Sequence, residues 1–232
     1  MTGAFIHFSP IFFAFLEELA VNNNRDWFAN NKVRYQDEVV SPMVAFIATM
    51  APRLRKISLH FVADPRANGG SMFRIYRDVR FSKDRRPYKE HASCHFRHET
   101  RTRDVHTPGY YVHLAPNDVR IGGGIWLPPG AALGAIRNAI DEDRSGWKRV
   151  VTNKRLNETF GGIGGDGLVR PPRGYDADHP HIEDLKRKTF FAMRRVDRKI
   201  ALTPGFLNEV TDTFHAATPL MKFLTKALGQ AF

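Results

Sequence analysis

Hydrophobic residues recur at helical spacing near both ends of the chain and alternate with polar residues in the middle. Ser9-Pro10 resembles an N-cap followed by proline at the first helical position, and it opens a first predicted helix that ends at Asn22-Asn23-Asn24. The apolar positions that share its face are Phe12, Phe15, Leu16 and Leu19. A second helix is predicted from about Asp26. Ser41-Pro42 either kinks that helix or starts a third one.

The pattern changes to period two near residue 57, which is typical of strands. Pro116-Asn117-Asp118 is predicted to be the turn of a hairpin that joins residues 110–114 to residues 119–125. Short links between neighbouring strands favour an antiparallel sheet. The β-rich segments are residues 57–62, 72–76, 91–97, 109–115 and 119–127.

Helical spacing returns after Pro128-Pro129, and further helices are predicted from about His181 and after Pro204 and Pro219. The basic segment 186–199 is interpreted as a helix face and a turn. Residues 162–167 match the dinucleotide-binding GxGxxG string, but no convincing strand precedes them and Pro171-Pro172 prevents the helix that should follow. Residues 161–167 are therefore interpreted as a flexible loop.

This order of helices, sheet and helices predicts the α+β class. The antiparallel sheet is expected in the central third, flanked by N-terminal and C-terminal helices. A chain of 232 residues fits one large domain, so we predict a single domain spanning residues 1–232.

The single cysteine, Cys94, excludes an intramolecular disulfide and a cysteine-based zinc site, and it suits a reducing compartment. We interpret it as a small buried thiol. The N-terminus lacks the basic region of a secretory signal. The apolar segment from Ile11 to Leu16 is far shorter than the ~20 residues that span a bilayer. We therefore expect a cytoplasmic protein with no membrane partner.

The formal net charge is +11, from 35 basic and 24 acidic residues, and such an excess attracts polyanions. The positive charge is concentrated in two segments. Residues 186–199 carry seven basic side chains against Asp197 alone. Residues 74–89 carry seven against Asp78 and Asp84, and the seven are Arg74, Arg77, Arg80, Lys83, Arg85, Arg86 and Lys89.

The central basic segment carries the main candidate chemistry. Guanidinium groups match the geometry of phosphate and carboxylate, and a tyrosine adds a hydroxyl or a stacking surface. Because two acids cannot neutralise all of the cations, the segment predicts an oxyanion pocket. The alternative is a structural arginine–aspartate network. The predicted ligand-binding residues are Arg74, Tyr76, Arg77, Arg80, Arg85, Tyr88 and Lys89.

The same segment resembles DUF2461, a family of bacterial and fungal proteins. The family's motif, Arg-x-x-Arg-Asp-x-Arg-Phe followed by an acid or amide, a lysine and a tyrosine, corresponds here to Arg74, Arg77-Asp78, Arg80-Phe81, Asp84 and Tyr88. Flanking segments 23–28, 110–111, 122–126 and 172–175 are also similar. The family's usual lysine is Arg85 here, and a guanidinium does not deprotonate. The resemblance implies a shared motif and no particular reaction.

Three hypotheses for function follow. The leading one is an anion-binding protein whose ligand is nucleic acid or a nucleotide. The second is a small-molecule enzyme with Asp78 as base or orienter, Tyr88 as acid and the arginines as oxyanion stabilisers. It predicts an enclosed pocket that contains Asp78. The third is a non-catalytic interaction module in which the motif only stabilises the fold.

Neither a metal nor a cofactor is predicted. His91 and His95 lie about 13 Å apart on an extended strand at ~3.3 Å per residue, which is too far to chelate one ion. The default interpretation of the histidines is that they are solvated or in the core; those concerned are His91, His95, His98, His106 and His113. Gly122-Gly123-Gly124 marks a bulge or close backbone approach, or admits a ligand to the sheet.

Overall fold

A five-stranded antiparallel meander forms the centre of the fold, with neighbours in the order β1-β2-β3-β4-β5. The computed structural model describes residues 5–101 and 106–232. Helices precede and follow the sheet, so the predicted α+β class is confirmed. The strands are β1 (Phe61–Val62), β2 (Ala92–His98), β3 (Gly109–Ala115), β4 (Asp118–Ile125) and β5 (Phe190–Val196).

Local sequence signals explain where the first helices begin. Pro10 occupies the first position of α1, and the Asn24 side chain caps α2 by accepting a hydrogen bond from the Trp27 amide. Ser41 begins α4, which a π-helical segment (Gln36–Val40) joins to α3. The helices are α1 (Pro10–Val21), α2 (Arg25–Asn30), α3 (Lys32–Tyr35), α4 (Ser41–Arg55), α5 (Gly130–Glu142), α6 (Arg144–Val151), α7 (Lys154–Phe160), α8 (Ile182–Leu185), α9 (Arg198–Ala201) and α10 (Phe206–Ala227).

One face of the sheet packs on helices and is apolar. Cys94, Phe96 and Val112 project from it into the core, and Tyr110 stacks on Phe214 of α10 with ring centroids 4.6 Å apart. Cys94 is buried, as predicted. Gly123 lets α10 approach, since a Cβ there would lie 3.1 Å from the Met221 sulfur. Alternation along the strands then directs the polar residues to the opposite face.

The segment predicted as a strand at residues 72–76 does not become a strand of the sheet. It makes isolated bridges, Met72 with Cys94 and Tyr76 with Tyr88. Backbone hydrogen bonds from Arg77 to Pro87 (2.9 Å) and from Lys89 to Ile75 (2.8 Å) close residues 74–89 into a two-stranded ribbon. We call residues 74–89 the arginine hairpin.

The helical interpretation of segment 186–199 is wrong for residues 190–196, which form β5 and pair with β4. Phe190 and Ala192 face the core, while Phe191 and Met193 line a cavity on the other face. Because both faces meet apolar surroundings, the alternation that marks a strand is hidden. The segment predicted as a flexible loop pairs with β5, since the Gly164 amide donates to the Phe191 carbonyl at 2.7 Å.

The remaining predictions concern a proline, the membrane, the N-terminus and the division into domains. The helix predicted to begin after Pro219 is the second half of α10, which continues through that proline. Within the described residues, every helix is too short or too polar to cross a membrane. Residues 1–4, which carry the start of the argument about a secretory signal, lie outside the described residues. The assignment of residues 1–232 to a single domain stays a prediction.

Candidate ligand-binding cavity

A cavity of about 460 Å³ opens on the polar face of the sheet, between the base of the arginine hairpin and strands β4 and β5. Its volume is within the range of small-molecule sites, roughly 300–1,000 Å³. The described residues that line it include no carboxylate. They are Phe73, Lys89, His91, Ser93, His95, Gly109, Tyr111, His113, Arg120, Gly123, Gly124, Ile125, Trp126, Phe191 and Met193.

Strand register brings the polar side chains of the floor together. His95 of β2 pairs with Tyr111 of β3, and Ser93 pairs with His113. Because paired residues project from the same face of a sheet, these four side chains form one layer. Trp126 and Phe191, with ring centroids 5.7 Å apart, form an aromatic wall beside it.

The cavity histidines are neutral near pH 7. Burial lowers the pKa of His91 to about 3, and the neighbouring His113 and Lys89 add to the effect. Burial likewise lowers the pKa of His95 to about 3 and depresses the pKa of His113. The rings of His91 and His113 are in contact, with centroids 4.2 Å apart, so protonating both would place two positive charges together.

Hydrogen bonds orient two of these imidazoles. The Tyr111 hydroxyl lies 3.3 Å from His113 Nδ1, and burial raises the pKa of Tyr111, so the phenol keeps its proton and can donate it. Arg97 Nε donates to His95 Nδ1 at 3.3 Å. In both rings the remaining proton is then on Nε2. The cavity floor therefore offers neutral N–H donors in defined orientations.

Lys89 is a cation of the cavity that has no negative partner among the described residues. Its Nζ donates to the Arg74 carbonyl at 2.9 Å and lies 5.2 Å from the centre of the Phe73 ring. Burial, and then the charge of Arg74, lower the pKa of Lys89. No ion pair involves Lys89 in the part of the chain that the structure describes. Arg120, by contrast, is paired with Asp118 at 2.6 Å.

The arginines predicted to converge lie instead along the hairpin and beside its own acids. Arg80 pairs with Asp78 at 2.7 Å, and Arg77 pairs with Asp84 at 2.8 Å. Arg86 also pairs with Asp84 (2.7 Å). Arg85 donates to the Val79 carbonyl at 3.0 Å, and the Arg74 side chain is exposed. Among the predicted ligand-binding residues in the described chain, Lys89 alone lines the cavity.

The two candidate catalytic residues lie outside the cavity. Asp78 is exposed, and its hydrogen bonds with Arg80 lower its pKa to about 2. Tyr88 is buried against Phe28, with ring centroids 4.1 Å apart, and Tyr76 packs 5.5 Å from Tyr88. The Asn23 side chain holds this position by donating to the Tyr88 carbonyl and accepting from the Tyr88 amide. The enclosed pocket around Asp78 that the enzyme hypothesis requires is not formed by the described residues.

The patterns of single segments predicted Lys89 but none of the other polar side chains that line the cavity. Odd positions of β2 and β3 and even positions of β4 share a face, which gathers Ser93, His95, Tyr111, His113 and Arg120. The predicted hairpin at residues 116–118 carried this information for β3 and β4, because register follows from the turn. Within the described residues, no group of three or more histidine, cysteine, aspartate or glutamate side chains is arranged to hold a metal ion.

The fold and the cavity define an α+β protein with a polar site on the open face of an antiparallel sheet. A family model described as "Conserved hypothetical protein (DUF2461)" matches residues 12–223, which is most of the chain. The protein therefore belongs to the DUF2461 family, as its central motif indicated. No curated protein and no solved structure shows significant similarity to it.

Proposed function

We propose that this protein binds a small anionic ligand in the sheet-face cavity and that a nucleoside monophosphate is the favoured class. The observation that carries the proposal is the environment of Lys89, an ammonium group that is partly desolvated and has no carboxylate partner in the described chain. Burying an unpaired charge is unfavourable, and a bound anion would offset that cost.

The rest of the cavity is suited to the remaining parts of such a ligand. The Nε2–H group of His113 would add a neutral donor toward phosphate oxygens. Trp126 is half exposed at the rim beside Phe191, so a planar base could stack there. The absence of carboxylates among the described lining residues removes the main source of repulsion toward a phosphate.

Calorimetric titration with adenosine 5′-monophosphate at low salt tests the proposal. Lys89→Met keeps an unbranched chain against Phe73 and removes the charge, and we expect a loss of affinity of tenfold or more, since charge-assisted hydrogen bonds contribute about 1.5–3 kcal/mol. Lys154→Met, on the exposed face of α7, is the matched control and should bind normally. No measurable binding to the unmodified protein, or equal losses in both variants, would contradict the proposal.

Acid–base catalysis in the same cavity is a second candidate, favoured by the contact between the Tyr111 hydroxyl and His113 Nδ1. It replaces Asp78 and Tyr88 by Tyr111 and His113 as the proton-transferring pair. Turnover of a bound anionic substrate that disappears in both His113→Gln and Tyr111→Phe, with binding retained, would establish it. Turnover that survives both changes would exclude it.

We therefore propose the cavity as the anion site, in place of the arginine-rich segment for which the sequence predicted it. Ion pairs within the hairpin occupy Asp78 and Asp84, which agrees with the structural network considered as an alternative. We also propose that the protein acts in the cytoplasm, a setting that suits its single buried thiol. Failure to bind any small anion would favour the interaction module.

A further inference from the structure

We infer that the nucleotide in the cavity belongs to a single-stranded nucleic acid whose neighbouring nucleotides follow the arginine hairpin, with one base stacked on Phe81. This inference rests on the proposed function for the cavity and adds a second contact surface to it. The surface consists of the hairpin tip, residues 78–86, and the exposed tyrosine between tip and cavity.

The first observation is the exposure of the Phe81 ring. This side chain is 97% exposed, whereas twelve phenylalanines of this chain have buried rings. A turn closed by the Ser82 amide and the Val79 carbonyl (3.2 Å) places Arg80 and Phe81 at its two corners, so the ring projects from the tip. The Arg80 guanidinium lies 5.9 Å from the ring centre and leaves the ring accessible. An aromatic face beside a cation is the usual platform for an unpaired base.

Charge is the second observation. Residues 74–89 carry seven basic and two acidic side chains, a net charge of +5. Lys83 has no carboxylate partner in the described chain, and Arg85 contacts a backbone carbonyl. The Asp78–Arg80 pair is exposed, at 49% and 77% of the two side chains, and exposed pairs contribute little. The Arg80 guanidinium therefore stays available to phosphates.

The third observation is that hairpin and cavity are continuous. Lys89, at the base of the hairpin, lines the cavity, and the two-stranded ribbon runs from Lys89 to the tip. Tyr76 is half exposed on this ribbon, with its ring against Tyr88 and Phe28. Phe81 follows Tyr76 by five positions, so the tip lies at most about 18 Å beyond Tyr76. Aromatic rings alternating with cations over such a length suit a few nucleotides of single strand.

The tip favours a nucleic acid over a lipid bilayer. A single aromatic ring buries little apolar area in a membrane, while it is sufficient for stacking on one base. An anionic membrane is therefore the alternative that the experiment must distinguish.

The test compares the affinity of deoxyadenosine monophosphate with that of single-stranded deoxyadenosine oligomers of three, six and twelve nucleotides at one low salt concentration. We expect the hexamer to bind at least tenfold more tightly than the mononucleotide. Phe81→Ala should remove at least about fivefold of that gain, since stacking on one base contributes about 1–3 kcal/mol. Lys83→Gln should remove a smaller part of the gain in affinity. It should also lower the slope of log affinity against log salt concentration by about one, as expected for the loss of one phosphate contact. Both variants should bind the mononucleotide normally.

Val169→Ala, which removes another exposed apolar side chain, is the control and should behave like the unmodified protein. If the mononucleotide binds and the oligomers bind no more tightly, the inference is overturned and the cavity proposal stands. If neither binds, both fail. If affinity still rises with oligomer length in Phe81→Ala, the stacking contact is overturned. Equal affinity for a duplex overturns the single-strand assignment, and binding to phosphatidylglycerol vesicles that depends on Phe81, without oligomer binding, assigns the tip to a membrane.

Discussion

Asp78 on the arginine hairpin and His91 in the cavity both have a lowered pKa, for opposite physical reasons. Hydrogen bonds from Arg80 stabilise the charged form of Asp78, which is exposed. Burial destabilises the charged form of His91, and the adjacent His113 and Lys89 act in the same direction. The charge of Asp78 is thus already compensated by Arg80, whereas a charge on His91 would be destabilised by its surroundings.

This difference separates a charged segment from a binding site. The hairpin has the higher density of charge, yet its acids and several of its arginines are already paired with each other. The cavity has fewer charges, but Lys89 is partly desolvated and lines the same cavity as His91, His95 and His113. Perturbation by burial therefore indicates the site more directly than the number of arginines in a segment does.

The largest expected effect comes from the strands beneath the cavity. A Cβ at Gly122 would lie 2.0 Å from the Ala192 carbonyl oxygen and 2.8 Å from the Met193 Cα, both backbone atoms of β5. Gly122→Ala should therefore lower the free energy of unfolding by about 3 kcal/mol in urea titrations. Gly134→Ala, in open space on α5, is the control and should raise it by about 0.5–1 kcal/mol. Unchanged stability in Gly122→Ala would mean that β4 and β5 are not held this closely.

The two kinds of pKa shift should lower the free energy of unfolding in different pH ranges. His91 and His95 have folded pKa values near 3, below the ordinary 6.5, so the unfolded chain binds more protons and stability falls as the pH drops from about 6.5 toward 3. We expect His91 alone to account for a loss on the order of 2 kcal/mol between pH 7 and pH 4.5. The contribution of Asp78 is lost at lower pH. It is fully present above pH 3.8 and disappears as the pH falls through about 2.

Urea unfolding at pH 7 and pH 4.5 measures the histidine window, and His91→Gln should reduce the difference between the two values. Side-chain NMR of the unmodified protein should find the His91 ring neutral at both pH values. A protonated His91 at pH 5 would remove the physical distinction between cavity and hairpin.

A smaller effect is expected where the hairpin attaches to the helices. Asn23 makes two hydrogen bonds with the Tyr88 backbone and a third with Glu90, so Asn23→Ala should cost about 1–2 kcal/mol. Hydrogen exchange at the amides of Arg77 and Lys89, which close the hairpin, should accelerate. Asn22→Ala, whose side chain bonds only within its own helix end, is the control. Equal exchange in both variants would show that the hairpin holds its position without Asn23.

The smallest effect on stability is expected at the tip. Phe81→Ala removes an almost fully exposed ring, so unfolding should change by less than about 0.5 kcal/mol. A loss above 1 kcal/mol would mean that the ring packs in solution and is not free to contact a ligand.

The sequence by itself determined the α+β class, the hairpin between β3 and β4, the start of α1, the burial of Cys94 and membership in the DUF2461 family. These features depend on local spacing, on turn residues or on a contiguous motif. β5 was not predicted, because its first four residues, 190–193, are apolar on both faces and show no alternation.

Only the tertiary structure decided which polar groups share a volume. Ser93, His95, Tyr111 and His113 come from two strands, and Lys89 and Trp126 come from segments before and after them. Their proximity depends on strand register and on how the hairpin docks against α2, and neither is a property of any single segment. These segments bury the histidines and Lys89 only once they have packed together. That burial keeps the histidines neutral, and it places Lys89 where the described residues offer it no counter-charge.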